Sequence, residues 1–304
     1  MTWRAADLPV GLWPAPVIRL HRGGPLPSVN PAECDLCLSI APDAPAPWVA
    51  VADPVAAQAR VTAAVAAQPV AAGVLLRVLH LTEHLPPEAG LEVESLGYST
   101  LLGGQGFRDW LRARGPLPLP VSPPDPVRIT RCGDAVELVL NDPANRNALS
   151  AAMRDALVAA LDSCLADPTN PTVTLCGAAR LFSTGGDLAE FGQAGDLAAA
   201  HLLRRVQSVA GRMLALGQRA RAQVAGGCIG AGVEIAVAAH RVEAGPRAWF
   251  RLPELAMGLI PGAGGCVSVP RRIGRHRAAW LMLTGQRIGA SQALAWGLVD
   301  SVLP

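Results

Sequence analysis

The sequence contains no lysine, and all 26 of its basic residues are arginine. It also carries little charge, since only 16% of its residues are acidic or basic and the formal net charge is +2. The missing lysine excludes the phosphate-binding loop G-x-x-x-x-G-K-[ST], which needs that side chain. The weak net charge excludes a general electrostatic field for nucleic acid, so we expect no nucleic-acid partner. With 51% apolar residues among 304, the composition predicts an ordered protein with one large domain and a smaller one.

The chain also lacks a disulfide framework, a secretory signal and a membrane-spanning stretch. Its seven cysteines are odd in number and scattered, and Cys34 and Cys37 form a lone C-x-x-C with no second pair to complete a zinc site. The N-terminus, MTWRAADLPVGLW, has no basic region followed by an apolar stretch and a small-residue cleavage site. The most apolar segment, residues 61–81, is interrupted by a glutamine, a proline and an arginine. We therefore expect reduced cysteines that mostly pack, no membrane partner and a cytoplasmic protein.

A proline-rich spacer at residues 115–126, with six prolines in twelve positions, divides the chain. Before it, residues 1–47 hold nine prolines and predict irregular extended chain, with CDLCLSI and WVAVAD as candidates for short strands. Residues 54–114 have apolar side chains at helical spacing between Gly and Pro breaks, which predicts several helices. The expected domains are a Pro-rich and helical N-terminal extension over residues 1–125 and a second unit over residues 126–304.

After the spacer, short strand-like runs alternate with longer helical ones, which indicates crossover units and the α/β fold class. The stretch VRITRCGDAVELVLND predicts two strands around Gly133 and Asp134. Ser150 is placed to cap the helix that follows. The elements expected next are the strand TVTLCG, a helix from about Leu197 to Leu216, the strand AQVAG, the turn GGCIGAG and the apolar helix VEIAVAAH.

Two glycine-rich turns, RLFSTGGDLAEF at residues 180–191 and GGCIGAG at residues 226–232, each connect a predicted strand to a predicted helix. Glycine lets the backbone turn sharply there, and the first amide groups of a helix have no partner within it. Neither turn matches G-x-G-x-x-G, so nucleotide phosphate is not favoured. Two such turns that converge would instead hold one oxygen between two backbone donors, as an oxyanion hole does. One glycine turn alone is more often only a turn, whereas the pair favours a functional interpretation.

Two glutamates lie in unusually apolar surroundings. Glu234 follows the second glycine turn, and no other charged residue lies between Arg221 and Arg241. Glu254 lies in FRLPELAMGLIPGAGG, again among apolar residues and turn formers. Burial favours the neutral form of a carboxyl group and raises its pKa toward the range useful for proton transfer near neutral pH. For either glutamate alone a structural role is the better interpretation, whereas the pair beside a predicted oxyanion hole favours catalysis.

Four ordered segments resemble successive blocks of the crotonase (enoyl-CoA hydratase/isomerase) superfamily, from about Val127 to the C-terminus. They are LFSTGGDL, GGCIGAGVEIAVAAHRV, FRLPELAMGLIPGAGGCVSVPRRIG and LTGQRIGASQALAWGLVDSVL. The resemblance implies a crotonase-like spiral of β-β-α units, here preceded by the mostly helical extension. It also implies an acyl-CoA thioester as partner, with coenzyme A present only as part of the substrate, no separate cofactor and no metal. A homo-oligomer, either a trimer or a dimer of trimers, is implied as well.

The resemblance assigns roles to residues of the two turns and of the loop NDPANRNALS, residues 141–150. The oxyanion donors would be the backbone N–H groups of Gly186, at a helix start, and of Ala231, whose methyl group narrows the pocket relative to the glycine often found there. Asp187 would complement the dipole of that helix as a structural residue. Arg146 would contact a phosphate of coenzyme A, with a solvated surface arginine as the alternative. The expected acyl-CoA contacts are Arg146, Gly186, Asp187, Leu188, Ala189 and Ala231.

The implied reaction is reversible addition of water to the α,β double bond of a trans-2-enoyl-CoA. Glu234 would deprotonate the water that attacks Cβ, and Glu254 would supply the proton to Cα. The alternatives are a cofactor-independent dioxygenase that oxidises a dihydroxyphenylacetyl-CoA, an enoyl-CoA isomerase, and a noncatalytic acyl-CoA-binding subunit. The presence of both glutamates argues against the noncatalytic subunit.

The sequence departs from the family pattern at both ends. After AWGLVDSVLP we expect none of the C-terminal helices that cover the active site in typical relatives, and about 125 residues precede the core. We expect the N-terminal helices to occupy part of the vacated surface, with residues 94–111 as the most structured part. The Leu, Phe and Trp side chains of that segment are expected to pack rather than to bind a ligand.

Overall fold

The computed structural model describes residues 15–119 and 121–304. The expectation that no secretory signal is present concerns the first 13 residues, which lie outside the described residues. The described chain begins with a parallel three-stranded sheet of β1 (Ile18–His21), β2 (Leu36–Ser39) and β3 (Trp48–Ala50), in that spatial order. The strands expected in CDLCLSI and WVAVAD are therefore confirmed, while β1 adds a strand in a proline-rich region.

The helical pattern predicted for residues 54–114 is confirmed as four helices. They are α1 (Pro54–Ala67), α2 (Pro69–Thr82), α3 (Pro87–Leu102) and α4 (Gln105–Arg114). The first three begin with proline, whose fixed φ suits the first helical position, and the Asp53 carboxylate caps α1 by accepting from two backbone amides. Among the described residues, no single helix is long and apolar enough to cross a membrane. Together α1 and α2 have the length and composition of a membrane span, but the pair is bent by 111°.

A six-stranded sheet forms the centre of the second half. In spatial order its strands are β12 (Ser301–Val302), β9 (Arg241–Ala244), β7 (Ala220–Val224), β6 (Thr172–Gly177), β5 (Ala135–Leu140) and β4 (Val127–Cys132). The strands β4 and β5 form an antiparallel hairpin, and every other neighbouring pair in this sheet is parallel, as crossover units require. A second sheet has the order β11 (Ile288–Gly289), β10 (Trp249–Arg251), β8 (Gly227–Ile229).

The remaining helices connect these strands. They are α5 (Ala151–Ala166), α6 (Leu197–Val206), α7 (Val209–Leu216), α8 (Ala231–Val237), α9 (Gly265–Ile273), α10 (Arg275–Thr284) and α11 (Ala290–Trp296). Ser150 caps α5 as expected, because its hydroxyl accepts from the Met153 amide at 3.2 Å. The expectation of one continuous helix from Leu197 to Leu216 is wrong. The Ser208 hydroxyl accepts from the Gly211 amide at 3.0 Å and starts a new helix there.

The hydrophobic core runs without interruption from the N-terminal helices into the second half. Leu75, Leu79 and Leu91 are almost completely buried, and burial of each such side chain contributes roughly 1.5–3 kcal/mol. The Thr82 hydroxyl also donates to the carbonyl of Cys266 at 2.8 Å, which ties α2 to α9. The division at residues 125 and 126 stays a prediction, since the buried core crosses it.

Candidate active site

The two glycine turns lie side by side. The Phe182 amide donates to the Gly227 carbonyl and the Ile229 amide donates to the Ser183 carbonyl, both at 3.0 Å. Gly185 has φ 86°, and a Cβ atom at this position would lie 2.7 Å from the carbonyl oxygen of Ile229. Glycine is therefore required at position 185 for both the conformation and the close approach.

The amide groups of Gly186 and Ala231 both border one cavity and have free donors. Gly186 forms a parallel bridge with Leu149, but that bridge uses the Gly185 carbonyl and the Asp187 amide. Ala231 is the first residue of α8, a position whose N–H has no acceptor within the helix. Within the described residues neither amide donates to a protein acceptor, so both are available to an oxygen atom in the cavity.

The expectation that Gly186 begins a helix is wrong. Residues 188–192 form a turn, and the next helix, α6, begins at Leu197. Asp187 therefore does not complement a helix dipole. One of its carboxylate oxygens accepts from the Ala189 amide at 2.9 Å, and the other accepts from the Asn145 side chain at 2.7 Å. These bonds connect the first glycine turn to the loop of residues 141–150.

Glu234 lies in the first turn of α8 with only 2% of its surface exposed. Its Oε2 atom accepts from the amides of Ala263 at 2.6 Å and Gly265 at 2.8 Å. Burial raises the pKa of Glu234 to about 7, although the amides of the 262–265 loop oppose this by stabilising the carboxylate. A carboxyl group with this pKa exchanges a proton readily near neutral pH.

Glu254 begins the 3-10 turn Glu254–Met257 and is also buried. A Cβ atom at Gly230 would lie 2.6 Å from its Oε1 atom, so this carboxyl group lies directly against the second glycine turn. Its Oε2 atom is buried with no hydrogen-bond partner among the described residues. Burial and the charge of Glu234 raise the pKa of Glu254 well above its usual value, which favours the protonated form.

A third buried glutamate, Glu94 of α3, escaped the sequence analysis. Its two oxygens accept from the amides of Gly264 at 2.7 Å and Cys266 at 2.6 Å. Along residues 263–266 the amides therefore donate alternately to Glu234 and to Glu94. The two carboxyl groups thus bind the loop from opposite sides. Burial and the charge of Glu234 raise the pKa of Glu94. The available signal was a carboxylate on the apolar stripe of a helix, three residues after Leu91 and four before Tyr98.

Tyr98, the only tyrosine of the chain, also lies on the cavity wall. A Cβ atom at Gly262 would lie 2.3 Å from its ring, so the ring packs directly on the loop that the two glutamates hold. The Arg204 guanidinium lies 4.5 Å from the centre of the ring on its face. Burial raises the pKa of the Tyr98 hydroxyl, and the charges of the three glutamates raise it further. The charge of Arg204 lowers this pKa.

The cavity has a volume of about 1110 Å³ and contains Gly186, Ala231, Glu234 and Glu254 in its wall. Leu188 is 42% exposed and Ala189 is buried, and both border the cavity as well.

An aromatic cluster of Phe107, Trp110 and Phe191 forms another part of the cavity wall. The ring centres are 5.8 Å apart for Phe107 and Trp110, 6.4 Å for Phe107 and Phe191, and 6.1 Å for Trp110 and Phe191. Two of the three rings come from α4, in the segment whose aromatic residues were expected only to pack. That expectation is incomplete, because Phe107 is buried in the core and borders the cavity at the same time.

Arg146 and the arginines of α9 and α10 have different surroundings. Arg146 is exposed at the cavity edge with φ 55°, and its carbonyl accepts from the Thr184 amide at 3.3 Å. The cluster of Arg271, Arg272, Arg275 and Arg277 in α9 and α10 does not border the cavity. Arg272 donates to the carbonyl of Ala239, and Arg275 pairs with Glu83 at 3.0 Å. The arginines of this cluster therefore hold neighbouring segments together.

The fold and the cavity match one known class of enzymes. A sequence profile of the enoyl-CoA hydratase/isomerase family matches residues 133–304, more than half of the chain. The chain belongs to this family, which is the crotonase superfamily, and its α/β fold is the crotonase fold predicted from the sequence.

The similarity to individual members is moderate and partial. The 2,3-dehydroadipyl-CoA hydratase of Escherichia coli strain K12 is 40% identical over 167 residues, which are 55% of this chain and 65% of that protein. The crystal structure of enoyl-CoA hydratase from Thermoplasma volcanium GSS1 aligns with a TM-score of 0.54 and 32% identity, over 59% of this chain and 71% of that one. The enoyl-CoA hydratase of Bacillus anthracis aligns with a TM-score of 0.54 and 30% identity, over 59% and 70%. The chain thus spans just under two thirds of the Escherichia coli protein.

Proposed function

We propose that this protein is an enoyl-CoA hydratase that adds water reversibly to the α,β double bond of a trans-2-enoyl-CoA. The observation that carries the proposal is the pairing of two unpartnered amides with two buried carboxyl groups on one cavity. A thioester carbonyl between the amides of Gly186 and Ala231 has its developing negative charge stabilised as the double bond is polarised.

The two carboxyl groups divide the acid and base work. Glu234 titrates near neutral pH, so its ionised form takes a proton from the water that attacks Cβ. Glu254, whose burial favours the protonated form, supplies its proton to Cα. The product gains one water, while Glu234 ends protonated and Glu254 ionised until they exchange protons with solvent. The chain's own residues supply every step, with coenzyme A as part of the substrate and no separate cofactor or metal in the reaction.

Several residues of the cavity are placed to bind the parts of the acyl-CoA away from the reacting double bond. The exposed Arg146 is placed at the cavity edge to contact a phosphate of coenzyme A, as the loop of residues 141–150 does by family resemblance. Leu188 and Ala189 line the path of the acyl-CoA, and Asp187 supports them through its bonds to Asn145 and the Ala189 amide. The size of the cavity is compatible with an acyl group larger than crotonyl.

A panel of enoyl-CoA thioesters tests the reaction. We expect crotonyl-CoA, longer enoyl-CoAs or aryl enoyl-CoAs to lose their conjugated ultraviolet absorbance with the protein, and the product mass to rise by one water. Isomerisation would shift the double bond without changing the mass. A flat absorbance trace and an unchanged mass across the whole panel would contradict the proposal.

A cofactor-independent acyl-CoA dioxygenase is the second candidate. The observation that favours it is the aromatic cluster of Phe107, Trp110 and Phe191, because flat apolar walls suit an aryl acyl group. This activity predicts oxygen uptake with an arylacetyl-CoA and no hydration of enoyl-CoAs. Binding of acyl-CoA without either reaction would favour the noncatalytic subunit instead.

We also propose that the chain forms a homo-oligomer, a trimer or a dimer of trimers. Three large apolar side chains of α6, Leu202, Leu203 and Val206, are between 47% and 65% exposed, which supports a contact at this helix. Light scattering after gel filtration is expected to give about three or six times the chain mass of 31.5 kDa, and Val206→Glu with Leu202→Glu is expected to lower it. A monomeric mass for the unaltered protein at micromolar concentration would contradict this proposal.

A further inference from the structure

Three side chains with metal-binding atoms meet on the face of α10 that receives the N-terminal segment. Cys34 follows a 3-10 turn, Cys37 lies in β2, and His276 is the second residue of α10. All three are buried, with no more than 3% of their surface exposed. The sequence left Cys34 and Cys37 without further ligands, and folding places His276 beside them from 242 residues away.

The three ligand atoms have the separations of a first coordination shell. The Sγ atoms of Cys34 and Cys37 are 3.1 Å apart, and the Sγ atom of Cys34 is 3.7 Å from Nε2 of His276. All three atoms lie within 4.8 Å of one another. In a tetrahedral zinc site, bond lengths of about 2.3 Å to sulfur and about 2.0 Å to nitrogen give edges of roughly 3.7 Å between sulfurs and roughly 3.5 Å between sulfur and nitrogen. The edge between Cys34 and His276 has this length already, whereas the two sulfurs must move apart by about 0.6 Å to bind the metal.

Two backbone carbonyls lie against the imidazole. The carbonyl oxygen of Pro31 is 3.1 Å from Nε2 of His276, and that of Cys34 is 3.0 Å from it. Both oxygens also accept from the Arg275 guanidinium, at 2.7 Å and 3.2 Å. A metal bound through Nε2 therefore replaces the hydrogen bonds of the ring to these carbonyls, and a water molecule completes four-coordination.

The charges around the cluster suit a divalent cation. Arg275, the nearest guanidinium, donates to the Cys34 carbonyl and is paired with Glu83 at 3.0 Å, with Asp35 at 4.0 Å. It is therefore already compensated by carboxylates. Two thiolates and a neutral imidazole around Zn²⁺ sum to zero charge, which removes the cost of a buried net charge.

We propose that Cys34, Cys37 and His276 bind a structural zinc ion that fastens the N-terminal segment to α10. The thiolates and the imidazole are the ligands that zinc prefers, and the buried setting is that of a structural site. None of the three side chains borders the cavity described above, so the ion holds the extension in place without taking part in the reaction. Its loss would loosen the segment Pro31–Glu33 and β2, which pack on α10.

Metal content of the full-length protein, expressed with zinc and purified without chelator, tests the proposal. We expect about one zinc per chain, and substitution by Co²⁺ should give thiolate-to-cobalt charge-transfer absorption with the visible bands of a tetrahedral site. Cys37→Ser and His276→Asn should each reduce the zinc content several-fold. The matched control is Cys132→Ser, an exposed cysteine whose replacement should leave the metal content unchanged.

Three results would overturn the proposal. They are a zinc content of the unaltered protein near zero, a cobalt spectrum without thiolate bands, and an intramolecular Cys34–Cys37 disulfide found by mass spectrometry in freshly purified protein. The first two readings need only the unaltered chain, so a variant that fails to fold does not leave the question open. Because the readout is metal content, its outcome is independent of whether the protein hydrates enoyl-CoAs.

Discussion

Replacing Glu254 by glutamine is expected to lower kcat for hydration by on the order of a hundredfold to ten-thousandfold, because the amide cannot supply a proton to Cα. The side chain keeps its size, and the substituted group remains against Gly230. The same change should raise thermal stability near neutral pH, because burial disfavours the ionised carboxylate and glutamine carries no charge. Stopped-flow absorbance at the enoyl thioester band and a melting curve measure the two effects.

The pH dependence of this stability gain follows from the raised pKa of Glu254. A carboxyl group with a raised pKa in the folded state costs no stability below its unfolded pKa, and it destabilises progressively as the pH rises toward the folded pKa. The gain from Glu254→Gln should therefore be small near pH 4 and larger at pH 8. The matched control is Glu243→Gln on β9, away from the cavity, which should retain full activity. Full activity in Glu254→Gln would remove this residue from the mechanism.

Replacing Ala231 by proline is expected to lower kcat by on the order of a hundredfold to a thousandfold, because it removes one oxyanion donor. Ala231 is the first residue of α8, where proline fits the helix and the missing N–H had no partner within it. The backbone of the helix should therefore survive, while the ring Cδ replaces the amide hydrogen and closes this side of the site to the oxygen. Single-turnover hydration kinetics with the unaltered protein as reference measure the loss.

Ala231→Gly is the matched control for that substitution, since it keeps the N–H and only removes a methyl group. It should retain activity within a few-fold of the unaltered protein, with a melting temperature close to that of Ala231→Pro. Equal kinetics for the proline and glycine variants would show that the amide of Ala231 takes no part in the reaction.

The two turns and the two glutamates that we propose as catalytic each carry a local signal in the sequence. A pair of glycines in a turn can be recognised from a few neighbouring residues, and Gly185 does have a positive φ in the structure. A carboxylate within an apolar run, such as Glu234, can be recognised in the same way. The helix starting at Gly186 was predicted wrongly. The Asp187 side chain binds the Ala189 amide and the turn at Gly192 has φ 87°, and both favour a turn over a helix.

The features that were missed depend on contacts between distant segments. Glu94 faces the loop that holds Glu234 only after α3 packs on α9, and Phe107 and Trp110 border the cavity only because α4 packs beside Phe191. His276 reaches Cys34 in the same way. Helical spacing predicts which face of a helix is buried, but it does not predict which other segment that face meets.

Hydration of crotonyl-CoA in water enriched in oxygen-18 tests the central claim most directly. The account predicts that the purified protein converts crotonyl-CoA to a product heavier by one labelled water, and that Glu254→Gln and Ala231→Pro form it far more slowly under the same conditions. Mass spectrometry that finds no labelled product, or finds the same initial rate of labelling with both variants as with the unaltered protein, would contradict the account.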